Sequence, residues 1–340
     1  MPLIDIILEQ PSYGWSDDNG ALAKPSRRQL FTEFFSRMNI FRSKKNWLPF
    51  LSWAAVFMLL PFVAIFVIYH FNIWLALLGF VYGMVFMGSH GTIWYHRYST
   101  HKAYKFKNNF WRFLTRNLVP TMIPEEIYVI SHHVHHVKSD LPGDPYNAQG
   151  GWLYCFLADV NHNPVNTNLT ESEYATASHM LQHTGVKRNT YAQYQKWGTI
   201  SNPFYAVLQT VLTIAFWFTV FYLIGGIAVA CALMSGACFW AIGVRTFNYD
   251  GHGRGKDKRK DGTDFNRKDY SVNQYWPGFV AGEWHNNHHL YPASARCGFL
   301  KHQIDFAWYY IYLLYKIGGV ASYHDSKKQF MVDYLPVKTK

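Results

Sequence analysis

The chain has 340 residues, of which 49% are hydrophobic, 19% aromatic and only 16% charged, and its formal net charge is +11. Soluble domains carry about a quarter charged residues, and disordered chains lack such apolar and aromatic content. The composition therefore argues against a soluble enzyme and a disordered chain. The four cysteines form no CxxC pair, so neither a disulfide scaffold nor a zinc ribbon is indicated.

The N-terminal segment, residues 1–46, contains an apolar pattern typical of a helix that lies on a membrane. Between residues 27 and 42, large apolar side chains recur at helical spacing, with Arg, Glu and Ser between them. Helices of this kind lie in the membrane surface. We predict an interfacial helix here. A second aromatic stretch, 303–317, is expected either to lie on the membrane or to pack on the cytoplasmic part of the protein.

Two long runs, 46–96 and 197–244, contain no Asp, Glu, Lys or Arg. A membrane-spanning helix needs about 20 predominantly apolar residues, so each run is long enough for two spans and a turn. The predicted helices are 47–69, 73–95, 203–223 and 226–247, with turns near 70–72 and 225–226. Helices buried in a soluble core would show a charged face, and these do not.

The positions of the basic residues predict the orientation of these spans. Lys and Arg precede the first run, whereas the two predicted turns carry none. By the positive-inside rule, both termini and segment 98–200 are cytoplasmic. The predicted fold class is an all-α integral membrane protein: four transmembrane helices in two hairpins with a cytoplasmic helical cap holding a histidine-rich dimetal site. The predicted parts are an N-terminal segment (1–46), hairpin 1 (47–95), the cap (96–202), hairpin 2 (203–247) and a C-terminal part (248–340).

Seventeen histidines are present, and most of them gather in three boxes beside the predicted spans. The boxes are HRYSTH at 96–101, HHVHH at 132–136 and HNNHH at 285–289. Residues at i, i+3 and i+4 share one face of a helix, so three histidines of each HxxHH box can converge. His133 points about 100° away from that face. His96 and His101 do not share a face of an ideal helix and are expected to bracket the end of the second span.

Neutral imidazole is a good ligand for iron, zinc, copper and nickel. A structural zinc site takes four ligands, whereas nine histidines here are candidates, a number that suits two metals. They are His96, His101, His132, His135, His136, His252, His285, His288 and His289. The isolated histidines are predicted to be non-ligands. A transporter would place its polar ligands within the spans, so the boxes favour an enzyme site at the membrane surface.

These motifs resemble the membrane fatty acid desaturases, most closely the stearoyl-CoA desaturase-like branch. The resemblance runs from about residue 47 to 300 and rests on HRYSTH at 96–101, HHVHHVKSDLPGDPYNA at 132–148 and GEWHNNHHLYP at 282–292. The family's Asn-x-x-x-His pattern is matched by Asn248 and His252. The resemblance implies that the nine histidines bind two irons, that Asn248 holds a water on one of them, and that O2 is the co-substrate. The animal acyl-CoA enzymes usually carry Arg at the position of His133.

The expected reaction is the insertion of a cis double bond into a long-chain acyl group, near carbon 9 by family default. Removal of hydrogen from an unactivated methylene needs a strong oxidant, which a redox metal that activates O2 supplies. Hydroxylation, or decarboxylation to a terminal alkene, remains an alternative at the same centre. A non-catalytic membrane metal-binding or transport protein is a second alternative. Zinc hydrolysis would need a carboxylate base such as Glu125, Glu126 or Glu283, and for Glu283 we favour orientation of a ligand imidazole.

The expected partners are an acyl substrate, a lipid bilayer and a separate electron donor, with no role for nucleic acid. Four basic residues are candidates for binding the substrate head group, whether the acyl group is carried by coenzyme A, acyl carrier protein or a lipid; they are Arg97, Lys102, Arg254 and Lys256. Positive-inside bias explains them equally well. The chain lacks an HPGG motif, so a ferredoxin or b-type cytochrome would supply electrons. The membrane would be a bacterial inner membrane or the endoplasmic reticulum.

Overall fold

The computed structural model describes residues 2–255 and 284–334, and these are mostly helical. The α-helices are α1 (Leu3–Ile6), α2 (Arg27–Met38), α3 (Trp47–Tyr69), α4 (Ile73–Val81), α5 (Gly88–His90), α6 (Asn109–Arg116), α7 (Glu125–Lys138), α8 (Trp152–Phe156), α9 (Ala158–Asn161), α10 (Glu171–Met180), α11 (Tyr191–Trp197), α12 (Pro203–Gly243), α13 (Phe247–Gly251), α14 (His285–Leu290), α15 (Phe306–Lys316) and α16 (Lys327–Tyr334). Two π-helical stretches, Tyr82–Met87 and Gly91–Thr100, extend α4 and α5 into one continuous rod. Strands β1 (Tyr104–Phe106) and β2 (Val320–Tyr323) pair antiparallel, with Tyr104 opposite Tyr323.

Within residues 2–255 and 284–334, three helical segments are long and apolar enough to cross a membrane: Lys44–Tyr69, Ile73–Thr100 and Pro203–Gly251. At 1.5 Å per residue, α12 would be about 60 Å long if straight, twice the hydrocarbon thickness of a bilayer. Its backbone leaves the helical region at Gly225 and Gly226, where Gly226 takes a φ of 70°. Glycine adopts a positive φ of this size readily because it has no Cβ atom, whereas other residues rarely do. The predicted turn at 225–226 therefore coincides with a break in the helix.

The two halves of α12 pack against the same neighbouring rod. The ring of Tyr82 lies 5.2 Å from that of Phe221, before the break. After the break, a Cβ atom at Gly83 would lie 2.4 Å from the carbonyl oxygen of Gly236. The lack of side chains at Gly83 and Gly236 thus allows the backbones of the rod and of α12 to come into contact. The all-helical prediction is confirmed in a coarser form: the described residues are mostly helical, with three long apolar helices and buried histidine clusters, but they also contain the short strands β1 and β2.

The cap, formed by residues 2–43, 101–202 and 284–334, is tied to the long helices by a buried ion pair. Arg245 follows α12, and its Nη2 lies 2.8 Å from Oδ2 of Asp159 in the cap. The hydroxyl of Ser52, near the start of α3, donates to the same carboxylate oxygen at 2.6 Å. The cap therefore meets the start of α3 and the end of α12.

Helix α15 combines the two placements expected for 303–317. One face is buried in the cap core, where Trp308 and Ile311 pack beside Tyr98 and Tyr104. The opposite face exposes large apolar side chains, including Leu313 at 57%. The helix is therefore packed on the protein and still presents an apolar surface outward.

Candidate metal centre

Nine histidines form two adjacent groups at the junction of the cap and the long helices. In each group the ligand-type nitrogen atoms all lie within 4.8 Å of one another. Group one consists of His96, His101, His132, His136 and His288, and group two of His135, His252, His285 and His289. The groups adjoin, because the rings of His136 and His289 stack with centroids 4.6 Å apart. These are the nine histidines that the sequence analysis names as candidate ligands, and the isolated ones lie outside both groups.

Each HxxHH box supplies both groups rather than one. In α7, His132 and His136 enter group one, whereas His135 enters group two. On a helix, i and i+4 are about 40° apart, but i+3 and i+4 are about 100° apart. The helix face that carries the histidines of each box therefore contributes ligands to both groups. In α14, likewise, His285 and His289 share group two while His288 enters group one.

The first box reaches group one through an unusual helix. Helical structure continues to Thr100 rather than ending at residue 95. The N–H of His101 donates to the carbonyl oxygen of His96 at 3.0 Å, an i→i+5 bond. Such π-helical turns are rare in proteins, and those that occur are often located at functional sites. The wider turn brings together two residues that an ideal α-helix would point apart.

The distances between ring nitrogens in each group are consistent with a metal site. The Nε2 of His288 lies 2.9 Å from Nε2 of both His96 and His136. The Nε2 of His285 lies 2.8 Å from that of His252 and 3.1 Å from that of His289. One ring nitrogen offers either one N–H or one lone pair, so hydrogen bonds cannot satisfy two such neighbours at once.

A bound metal accounts for these spacings. Two ligands at right angles, each about 2.1 Å from one ion, lie about 3.0 Å apart. Group one offers five imidazoles, which exceeds the four ligands of a structural zinc site. Imidazole also suits iron. The donor sets of five and four imidazoles therefore fit transition-metal binding.

Two aspartates that follow α7 orient ligands of group two. The carboxylate of Asp144 accepts from Nδ1 of His135 at 2.9 Å, with both side chains fully buried. Asp140 accepts from Nδ1 of His252 at 3.0 Å. Each contact leaves Nε2 of the imidazole directed to the group, as in carboxylate–histidine–metal triads. Both aspartates lie in the HHVHHVKSDLPGDPYNA motif, but the sequence did not reveal their role.

Burial favours the neutral form of His132, His288 and His289, which is the form that binds metal. Burial, followed by the neighbouring His96, holds the pKa of His132 and His288 well below the usual 6.5. Burial and then His285 act in the same direction on the pKa of His289. Burial raises the pKa of Asp144 to about 7, and the nearby His252 opposes that rise.

Carboxylates considered as hydrolytic bases bind other groups. Glu125 forms an ion pair with Arg116 at 2.9 Å and accepts from Nε1 of Trp94 at 2.5 Å. Glu126 accepts from the backbone N–H groups of Ile200 and Ser201. Glu283 lies outside the described residues. The described part of the site thus gives no support to hydrolysis with Glu125 or Glu126 as the base.

A cavity of about 90 Å³ leads from the histidines toward the long helices. His96, His132 and Asn248 line it near the histidine site, and Gly91 and Trp240 line it within the helical bundle. A Cβ atom at Gly91 would lie 3.3 Å from the Trp240 ring, so this glycine leaves room for the indole. Trp240 was not predicted as a lining residue, since its sequence neighbours are simply apolar.

The four basic residues proposed for a head group differ in placement. Arg97 is fully buried and forms an ion pair with Asp305 at 2.9 Å, and it also donates to the carbonyl oxygen of Ala295. Its expected contact with an external head group is therefore not supported. Lys102 is exposed, and the side chain of Arg254 is 69% exposed beside Asp250. Lys256 lies outside the described residues.

Comparisons with known proteins agree with this site. The sequence matches the family described as fatty acid desaturase over residues 71–317. It is 28% identical to the Delta-9 desaturase-like 1 protein of Arabidopsis thaliana, over 67% of this chain and 69% of that protein. It is 27% identical to the sn-2 palmitoyl-lipid 9-desaturase of Nostoc sp. (strain 36), over 66% of this chain and 72% of that protein.

The Palmitoyl-monogalactosyldiacylglycerol delta-7 desaturase of Arabidopsis thaliana, a chloroplastic protein, is 28% identical over 67% of this chain and 56% of its own length. No solved structure matches the chain. The family match covers well over half of the 340 residues and includes all three histidine boxes. The chain belongs to the membrane fatty acid desaturase family, a family of oxidoreductases.

Proposed function

We propose that this protein inserts a cis double bond into a long-chain acyl group at a di-iron centre bound by the nine grouped histidines. The observation that supports this most strongly is the pair of adjacent groups, in which single ring nitrogens each contact two others. The bound iron pair would supply the activation of O2 and the oxidising power for C–H cleavage. The balanced reaction converts CH2–CH2, O2, two electrons and two protons to CH=CH and two waters.

Asn248 would complete the ligand set of group two. Group one has five imidazoles and group two has four, and Asn248 lines the cavity one helical turn before His252. We infer that its side chain holds a water at the open position of the second metal. His135 and His252 would be kept in the ligating tautomer by Asp144 and Asp140.

The proposed substrate is a lipid-bound acyl chain that enters the cavity from the bilayer. The names of two relatives refer to lipid-bound palmitoyl groups, and the cavity extends from the histidines to Trp240 among the apolar helices. Exposed Lys102 and Arg254 are candidates for the head group. We propose a bond near carbon 9, since several relatives are named delta-9 desaturases. We also propose that the break in α12 makes two spans, giving two hairpins with the cap in the cytoplasm.

The test is a lipid profile. The full chain is expressed in a host that lacks desaturases, with a ferredoxin or b-type cytochrome system as donor, and fatty acids are analysed by gas chromatography–mass spectrometry. We expect a new monounsaturated acid with the wild-type chain and none with His288→Ala. His302→Ala serves as the matched control, because His302 is exposed and outside both groups.

Other products would assign other functions. Hydroxy acids or terminal alkenes would keep the metal site and replace desaturation. An unchanged lipid profile from iron-loaded protein with a working donor would contradict the proposal and favour the non-catalytic metal-binding reading. If His288→Ala still formed the product, the ligand assignment would be wrong.

A further inference from the structure

A groove on the outer surface of the long helices combines apolar walls with two lysines at its rim. It has a volume of about 410 Å³ and lies between the starts of α3 and α12, away from the histidine groups. It is lined by Trp47, Trp197, Pro203, Phe204, Val207, Leu208 and Val211. The groove therefore begins where two apolar helices begin.

The floor of the groove is a stripe along one face of α12. Pro203, Val207 and Val211 recur every four residues, which places them above one another on the helix. Eight residues at 1.5 Å each make the stripe about 12 Å long. Phe204 and Leu208 flank it and are 68% and 52% exposed. This shape suits a single extended hydrocarbon chain that runs parallel to the helix.

The rim of the groove is positively charged. The Nζ atoms of Lys44 and Lys196 lie 5.6 Å and 6.0 Å from the centre of the Trp197 ring. The adjacent Lys45 has a carboxylate partner, since its Nζ lies 2.7 Å from Oε1 of Glu9. Neither Lys44 nor Lys196 forms an ion pair within residues 2–255 and 284–334. Both ammonium groups therefore add positive charge beside Trp197, a residue that lines the groove, and this charge would attract an anion.

We propose that this groove binds one anionic phospholipid from the leaflet on the cap side of the membrane. The phosphate would lie beside Trp197, near Lys44 and Lys196, with one acyl chain along the stripe from Pro203 to Val211. Basic residues and tryptophan at the end of a membrane helix are typical of the lipid head-group region. The site is separate from the histidine groups and does not depend on the proposed reaction.

The test uses the full chain in phosphatidylcholine nanodiscs. A trace of phosphatidylglycerol carries a diazirine in one acyl chain, and cross-links are mapped by mass spectrometry. A phosphatidylcholine probe with the same chains measures ordinary bilayer contact. We expect the anionic probe to label residues 203–211 more strongly, and unlabelled phosphatidylglycerol to compete.

The lysine variants test the charge argument. Two lysines near a membrane surface contribute about a 30-fold preference for anionic lipid, so Lys44→Ala/Lys196→Ala should reduce labelling by the anionic probe to the phosphatidylcholine level. Lys44→Arg/Lys196→Arg keeps both charges and should retain the labelling. Lys301→Ala/Lys328→Ala is the matched control, because it removes the same charge from exposed positions elsewhere.

Three results would overturn the proposal. Equal labelling by the two probes would mean that the groove holds bulk lipid only. Wild-type labelling of the double alanine variant would remove the role of the lysines. Cross-links from residues 203–211 to another copy of the chain would identify the groove as a dimer contact. A thermal melting midpoint close to wild type in the same nanodiscs shows that a variant is folded, so loss of labelling can be assigned to the groove.

Discussion

The two histidine groups are built from the same helical boxes, but their ligands are supported in different ways. In group two, His135 and His252 are oriented by hydrogen bonds to Asp144 and Asp140. In group one, Nδ1 of His288 is buried and has no hydrogen-bond partner among the described residues. The ring of His132 instead stacks on Tyr128 at 5.3 Å. Carboxylates thus orient two ligands of group two, whereas in group one an aromatic ring packs on His132 and Nδ1 of His288 has no carboxylate partner among the described residues.

The largest effects are expected from removing one ligand of either group. His136→Ala and His289→Ala should each abolish product formation, because the proposed reaction uses both metals. Each variant should also bind iron at about half the wild-type stoichiometry, since the other group keeps its imidazoles. Product is measured by gas chromatography–mass spectrometry and iron by elemental analysis of purified protein. Full iron content in either variant would contradict the division into two groups.

Intermediate effects are expected from the aspartates, and they test whether hydrogen bonding distinguishes group two. Removing such a partner typically lowers metal affinity or activity by about 10–100-fold. Asp144→Asn should lower iron affinity and turnover by about 100-fold, because the side chain is fully buried against His135. Asp140→Asn should lower iron affinity and turnover by a smaller factor, since the Asp140 side chain is 13% exposed. Iron affinity and turnover are measured for both variants.

The control for the aspartates is Asp325→Asn. Asp325 pairs with Arg296 at 3.4 Å, and both side chains are at least one-fifth exposed. Surface ion pairs contribute little to stability, so this variant should bind iron like wild type. If Asp144→Asn and Asp325→Asn behaved alike, orientation by carboxylates would not distinguish the groups.

Much of this architecture is visible in the sequence, because it follows from local patterns. Uncharged runs of about 50 residues predict the long helices, and the break in α12 falls at the Gly225–Gly226 pair. Six of the nine grouped histidines, those of the two HxxHH boxes, also follow from spacing, since i, i+3 and i+4 positions share a helix face. Their binding of iron stays a prediction. For these features, the local sequence pattern is sufficient to predict the structure.

The features that the sequence does not reveal depend on the backbone path or on distant partners. The π-helical stretch that joins His96 to His101 in group one departs from the ideal 3.6-residue turn on which spacing arguments rest. The division of each box between two groups depends on where the opposing box lies. From the sequence alone, Arg97 is expected to be a surface cation. Its burial is explained by its ion pair with Asp305, which lies far along the chain.

The smallest effect is expected at His133, the histidine of the HHVHH box that belongs to neither group. It is half-buried, and burial together with Lys102 lowers its pKa to about 4. Because it points about 100° from its neighbours on α7, His133→Ala should leave the iron stoichiometry unchanged and turnover within about twofold of wild type. Iron analysis beside His132→Ala, the adjacent residue in group one, measures the contrast. Loss of iron in His133→Ala would show that ring packing around group one extends beyond its ligands, and the distinction between the groups would weaken accordingly.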